Sequence, residues 1–210
     1  MQYKWEKITS SAYLTLLEIN FTEFPVNPKK LHSKEIIISS YQFYAKATET
    51  TVEQVSLGYE LEDAFLLNGL REKVKIILYN ENKNSARLQH TLWHEIGHIK
   101  LAHNHEQEEK EEIEAHFFAA QINAPNIILK SIANRGYLIN ENLLIKYFGL
   151  SKESAEKKMN YLRKYNFEHT NEHDEAVILQ FSDFLNTTFP VKSQSYYDDD
   201  EELERQRNTW

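Results

Sequence analysis

The stretch from Ser85 to His98 constrains this chain most, because it holds His94 and His98 four residues apart with Glu95 between them. On an α-helix, which turns about 100° per residue, the two imidazoles lie about 40° apart around the axis and one turn apart along it. Both rings can therefore reach one ion. Glu95 lies on the flank of the same face, where it can take a proton from a water molecule. This H-E-x-x-H pattern predicts a zinc-dependent hydrolase with Glu95 as the general base.

The residues around the pattern favour a metal site over a solvated helix face. A helix can contain H-E-x-x-H without binding metal, since only three positions are specified. Here, however, most of the helix is apolar, at Ala86, Leu88, Leu92, Trp93, Ile96, Ile99 and Leu101. Burying two histidines and a glutamate without partners is unfavourable, and a bound ion would remove that penalty. Gly97, which has no side chain, would let another element approach the helix closely.

A catalytic zinc site usually has three protein ligands, so a third must come from elsewhere in the chain. The pattern H-E-x-x-H-x-x-G-x-x-H would require a histidine at position 104, which is Asn104. The helix predicted over residues 108–124 offers Glu112 instead, which borders an apolar stripe formed by Ile113, Phe117, Ala120 and Ala124. Glu114 is about 200° from Glu112 around this helix. Only one of the two can bind the ion, and the geometry favours Glu112, with Glu114 as the alternative.

Other histidines lie close to the pattern in sequence. His116 shares a helix face with Glu112, so it either orients a ligand imidazole through its second nitrogen or is a partly buried polar residue. His90, one turn before His94, could contact a ligand, bind substrate or act as an alternative ligand. His103 and His105 are typical of surface loop residues.

Hydrophobic periodicity predicts an α+β fold that is mostly helical, with a small β-sheet. An amphipathic helix is expected over residues 4–19, and buried strands over residues 35–39 and 74–80. Residues 47–58 show no clear pattern. Residues 127–166 are helical in pattern, with Gly149 as a helix-ending residue, and residues 176–185 form one more amphipathic helix. The predicted divisions are a core over 1–125, with metal-site helices at 86–101 and 108–124, a helical C-terminal region over 126–190, and a flexible acidic tail over 191–210.

Charge and composition exclude several classes of protein. The net charge of -8 argues against a nucleic-acid-binding surface, so the two helices within residues 138–165 are interpreted as a packing hairpin rather than a DNA-reading helix-turn-helix. The chain has no cysteine, which excludes disulfides and thiolate metal sites. No stretch reaches 18 apolar residues, so neither a signal peptide nor a membrane span is expected. We therefore expect a cytoplasmic protein whose partners are proteins or peptides.

Several of these motifs together resemble a known family. The residues that carry the likeness are Arg87, Thr91 to His98, Glu112 to Ala120, and the closing Ala124-Pro125. They resemble the ImmA/IrrE metallopeptidases, which typically show R-x-x-x-T-L-A-H-E-x-G-H, then E-x-E-A-N-x-F-A-A and a proline. The segment from Tyr147 to Ser151 is similar to the family's later F-G-V-S segment.

The resemblance implies a zincin-like metallopeptidase core in which His94, His98 and Glu112 bind Zn²⁺ and Glu95 is the general base. It also implies a site-specific endopeptidase of bacteria, phages or mobile elements that cleaves a helix-turn-helix repressor. Trp93 stands where the family commonly has alanine, and His116 where it usually has asparagine. These two departures, with the crowding that Trp93 would cause, leave open an alternative, a non-catalytic or metal-stabilised regulator that acts as an antirepressor by docking.

Overall fold

The computed structural model describes residues 4–59, 62–68, 74–104, 108–164 and 170–192. The predicted mostly helical α+β fold with a small sheet is confirmed. The elements, in chain order, are α1 (Trp5–Ile19), β1 (Ile36–Ser40), α2 (Tyr41–Ala47), α3 (Val52–Val55), β2 (Ala64–Asn68), β3 (Lys75–Tyr79), α4 (Ser85–Lys100), α5 (Glu108–Asn123), α6 (Asn126–Asn134), α7 (Glu141–Phe148), α8 (Lys152–Leu162), α9 (Asp174–Gln180) and α10 (Ser182–Thr188). The predicted tail lies outside the described residues from position 193 onward, as does His105.

The sheet has the strand order β1-β3-β2, with β1 parallel and β2 antiparallel to the central β3. Successive side chains of a strand point to opposite faces, and both faces of β3 are covered. Ile77 packs into the main core, whereas Leu78 packs into a smaller cluster with Tyr41 and Phe65. The predicted strands correspond to β1 and β3. The sequence did not predict β2, nor the two short helices α2 and α3 around the pattern-free stretch.

The chain passes from β3 through a turn into α4, as expected for the Asn-rich segment there. The Asn84 side chain accepts hydrogen bonds from the backbone N–H groups of Ala86 and Arg87, at 3.0 and 3.3 Å, and so caps the start of the helix. The apolar face of α4 is fully enclosed. Trp93 is completely buried, and its indole N–H donates to the Val26 carbonyl at 3.0 Å. The core therefore accommodates this large side chain.

Helix α5 forms where the sequence predicts it but buries a different face. The expected stripe included Ile113, which is 38% exposed. The fully buried residues are instead Ala115, Phe118, Ala119 and Ile122. Apolar side chains occur on several sides of this helix, so its own periodicity does not define one face. Packing against α4 and α1 selects the buried one.

The C-terminal helices pack on the main core. Gly149 ends α7 in the left-handed conformation, with φ +68°, as predicted for a helix-ending glycine. The single helix predicted over residues 176–185 is two short helices, because the chain breaks at the buried Phe181. Phe181 stacks on Phe24, which also packs against Phe148. None of the described helices is both long and apolar enough to cross a membrane. The division into core, C-terminal region and tail stays a prediction.

One charged side chain lies inside this core. Lys158 of α8 is 5% exposed, and its ammonium group donates to the Asn126 side-chain carbonyl at 2.8 Å. Burial lowers the pKa of Lys158 from 10.5 to about 7, because the charged form loses its hydration. Between pH values of about 7 and 10.5, the amine of Lys158 is protonated in the unfolded protein but not in the folded one. The free energy of unfolding therefore rises with pH through this interval.

We predict that Lys158→Met raises the melting temperature at pH 7 and below, because methionine has similar length and no charge to desolvate. The gain should be several degrees, since about 1 kcal/mol shifts the melting temperature of a protein this size by about 2–4 °C. The advantage over the wild type should shrink as the pH rises from 7 towards 9, because the free energy needed to remove the proton of Lys158 on folding falls as the pH approaches the unfolded-state pKa of 10.5. Thermal unfolding across this pH range measures it, with the exposed Lys152→Met as control. An equal melting temperature at every pH would contradict the account.

Candidate metal centre

Three side chains from two helices converge at the interface of α4 and α5. The Nε2 atoms of His94 and His98 are 3.0 Å apart. Glu112 reaches both histidines, with its Oε2 atom 3.2 Å from His94 Nε2 and its Oε1 atom 3.2 Å from His98 Nε2. The two histidines share a face of α4 because they are one turn apart. The structure thus brings together the three residues that the sequence proposed as ligands, and this group could hold a metal ion.

The spacing and the donor types both fit a metal ion. Two ligand atoms about 2.1 Å from one ion lie about 3.0–3.4 Å apart when they subtend roughly 90–110° at it. The three separations here, 3.0, 3.2 and 3.2 Å, fall in that range. Two imidazole nitrogens and one carboxylate oxygen also form a common donor set of catalytic zinc sites. The arrangement therefore suits one small divalent cation.

The surroundings keep the histidines in the form that binds metal. Burial, together with the nearby histidines, beginning with His116, lowers the pKa of His94 to about 2. A neutral imidazole has the free electron pair that a ligand needs. The His94 and His98 side chains are only 9% and 7% exposed, whereas Glu112 is 46% exposed. The centre consequently opens to solvent on the side of Glu112.

Glu95 lies beside this group as a partly buried carboxyl. Burial, together with the charges of Glu112 and Glu62, raises its pKa to about 7. A carboxyl group with a pKa near neutrality can both accept and release a proton under ordinary conditions. The environment of Glu95 thus suits proton transfer.

His90 and His116 form a pair next to the centre. His90 Nε2 is 3.3 Å from His116 Nδ1, and their rings are within 11° of parallel. His116 also packs on the ring of His94, with 4.2 Å between the centroids. The hydrogen bond expected from His116 to a ligand imidazole is not formed. The Nδ1 atom of His94 is buried and has no hydrogen-bond partner among the described residues.

The sequence analysis underestimated His103. Its side chain is only 5% exposed, with Nδ1 3.0 Å from Nδ1 of His98 and Nε2 3.4 Å from Oε2 of Glu114. The expectation of a surface residue was wrong, because the turn after α4 folds back towards that helix. Glu114 was considered only as a rival ligand, and it contacts His103 instead. No periodic signal in the sequence identifies these contacts, since they depend on the path of an irregular turn.

Gly97 allows α4 and α5 to approach closely, as the sequence suggested. A Cβ atom at this position would lie 3.1 Å from Cδ1 of Phe118 and 3.3 Å from both Cα and the carbonyl oxygen of Ala115. Ala115 follows Glu112 by three residues, so it is almost one turn further along α5. The separation of the two helices at Gly97 therefore controls the position of Glu112.

We predict that Gly97→Ala destabilises the protein and weakens metal binding. Helix propensity alone would make this substitution stabilising by about 1 kcal/mol. The new methyl group, however, would press on the backbone of α5, and such overpacking typically costs about 1–3 kcal/mol. Denaturant unfolding and metal content per chain measure the two effects. A more stable variant with unchanged metal content would show that the helices do not depend on this glycine.

Comparison with known families agrees with this geometry. The family model Peptidase_M78, described as the IrrE N-terminal-like domain, matches residues 45–160, which is more than half of the chain. No curated protein matches the chain. The matched region contains β2, β3, α4 and α5, and with them all the residues of the candidate centre. The chain therefore belongs to the ImmA/IrrE family of metallopeptidases.

Proposed function

We propose that this protein is a zinc-dependent, site-specific endopeptidase with His94, His98 and Glu112 as metal ligands and Glu95 as the general base. The observation that carries the proposal is the convergence of two imidazole nitrogens and a carboxylate at 3.0–3.2 Å. Membership of a metallopeptidase family supports the same reaction class. Zinc is preferred to other divalent ions because two imidazoles and one carboxylate suit it, although this donor set accepts several metals.

The residues of the chain divide the chemistry between them. When bound, the metal ion supplies the Lewis acidity that activates a water molecule and polarises the peptide carbonyl. Glu95 accepts a proton from the attacking water and delivers it to the leaving amide nitrogen. Its raised pKa suits this double role, because a strongly acidic carboxyl would hold the proton too weakly. The exposed side of Glu112 leaves room for a peptide to approach.

The sheet offers a place for an extended substrate. An extended peptide can add to the free edge of a sheet, but β3, the strand that leads into α4, is central and is paired on both sides. In the described residues β2 pairs with β3 alone, so its other edge can accept a peptide. Asp63, just before β2, forms ion pairs with Arg87 and with Lys83 and fixes this strand beside the start of α4. We propose that the substrate pairs with β2.

The substrate that we propose is a helix-turn-helix transcriptional repressor encoded beside this gene. The support is the resemblance to family members that cleave such repressors, together with the acidic character of the chain, which suits a protein partner better than DNA. Regulation by docking alone is the rival. One argument for docking was crowding by Trp93, but this side chain is buried in the core and is not part of the centre.

We predict that Glu95→Gln keeps the metal and loses cleavage. Glutamine has the same size but cannot accept the proton, and general base catalysis typically contributes about 10²–10⁴-fold to the rate. The purified variant and wild type should each be incubated with the neighbouring repressor, and the fragments identified by mass spectrometry. A chelator added to the wild type is the control for metal dependence. Cleavage by the variant at the wild-type rate would refute the assignment of the base. Loss of repression with intact repressor in every sample would favour docking.

We predict that Glu112→Ala abolishes stoichiometric metal binding, because only two protein ligands remain. Glu109→Ala is the matched control, since Glu109 is an exposed glutamate of the same helix. Elemental analysis of both purified proteins gives the metal content per chain. We expect about one ion per chain in the control and a clear loss in Glu112→Ala. Equal metal content in the two variants would exclude Glu112 as a ligand.

A further inference from the structure

We propose that His103 and Glu114 are positioning residues that fix the orientation and the proton position of His98. The proposal rests on the proposed metal centre but not on peptidase activity. His98 uses both of its ring nitrogens. Its Nε2 atom faces His94 and Glu112, at 3.0 and 3.2 Å, and its Nδ1 atom is 3.0 Å from Nδ1 of His103. A further contact joins His103 Nε2 to Glu114 Oε2 at 3.4 Å, so this series of side-chain contacts ends on a carboxylate.

The proton positions on the imidazoles of His98 and His103 depend on each other. A neutral imidazole has one N–H group and one nitrogen with a free electron pair. If His98 uses the free electron pair of Nε2 for a metal ion, its proton is on Nδ1 and is donated to His103 Nδ1. The proton of His103 is then on Nε2, where it faces the carboxylate of Glu114. In this arrangement the N–H of His98 meets an acceptor, and the N–H of His103 faces the negative charge of Glu114 at ion-pair distance, without a hydrogen bond between them.

The opposite arrangement is unfavourable beside Glu114. It would place the proton of His103 on Nδ1, so that the free electron pair of Nε2 would face the negative carboxylate of Glu114. It would also move the proton of His98 to Nε2, where it would prevent metal binding. The charge of Glu114 therefore favours the form of His98 that can act as a ligand, and it opposes Glu112, whose Oε1 atom attracts a proton to His98 Nε2 when no ion is bound. This role requires that the His103 imidazole lie between the Glu114 carboxylate and the His98 imidazole.

The backbone holds His103 in place. After α4 ends, Ala102 adopts the left-handed conformation with φ +55°, and the His103 N–H donates to the His98 carbonyl at 3.0 Å. This reversal of the chain is the usual way in which a residue just beyond a helix returns to its last turn. The next residue is tied to α5, because the Asn104 N–H donates to Oε1 of the buried Glu111 at 3.4 Å.

The two histidine ligands are therefore supported differently. His98 has a hydrogen-bonded neighbour at Nδ1, whereas the buried Nδ1 of His94 has none among the described residues. Removing His103 would take away the neighbour that orients His98 through Nδ1. Loss of such an outer contact typically weakens metal binding by about 10–100-fold. We expect a loss in that range for His103→Ala and for Glu114→Ala.

The first experiment measures zinc affinity by competition with a chromophoric chelator. His103→Ala and Glu114→Ala should each bind zinc about 10–100-fold more weakly than the wild type. Glu114→Gln should retain more affinity than Glu114→Ala, because the partial negative charge of the amide oxygen still faces Nε2 of His103. His32→Ala is the control, since His32 is exposed. Zinc affinities of His103→Ala and Glu114→Ala equal to that of the wild type would overturn the proposal.

The second experiment observes the proton position without metal. Nitrogen-15 NMR spectra of the metal-free, histidine-labelled protein distinguish protonation at Nδ1 from protonation at Nε2. Both proteins carry Glu112→Ala, because the Glu112 carboxylate 3.2 Å from His98 Nε2 would otherwise attract the proton to that atom. We expect His98 protonated on Nδ1 in Glu112→Ala and a mixture of both forms when Glu114→Ala is added. An Nδ1-protonated His98 in both proteins would contradict the role of Glu114. This readout remains decisive if the proposed peptidase activity fails, and it covers the case in which His103→Ala does not fold.

Discussion

The close contact of α4 with α5 at Gly97 is the constraint on which the centre depends. A Cβ atom at this position would lie 3.3 Å from the backbone of Ala115, so α5 would have to move away from α4 by a few tenths of an ångström to accommodate a side chain. The distance between the helices in turn decides whether Glu112 reaches the two histidines. The geometry of a metal site formed by two helices therefore depends on how those helices pack. Here the buried core around Phe118 and Ile96 maintains that packing.

The parts of the site that lie within one regular helix were predictable from sequence. His94, Glu95 and His98 are close in sequence, so helix geometry alone fixes their relation. Glu112 required one further step, because the sequence showed a helix but not its orientation. The predicted apolar stripe was rotated from the true one, as the exposed Ile113 shows, and yet Glu112 still faces the histidines.

The parts that depend on irregular backbone could not be predicted. The position of His103 follows from the left-handed conformation of Ala102, which a β-carbon-bearing residue adopts only when its surroundings impose it. A sequence pattern does not reveal this. The same holds for β2, a short strand that needs β3 as its partner, and for the break at Phe181, which tertiary packing determines. In each case the conformation depends on contacts that neither helix nor strand periodicity predicts.

The unequal exposure of the three proposed ligands has a kinetic consequence. The two histidines are almost enclosed, whereas Glu112 is nearly half exposed, so an ion and a peptide would have to arrive from the same direction. A peptide lying across that opening would close the only wide approach that these three side chains leave. Ion exchange and substrate occupancy would then be mutually exclusive events, and an ion present when the peptide arrives would stay until the products leave.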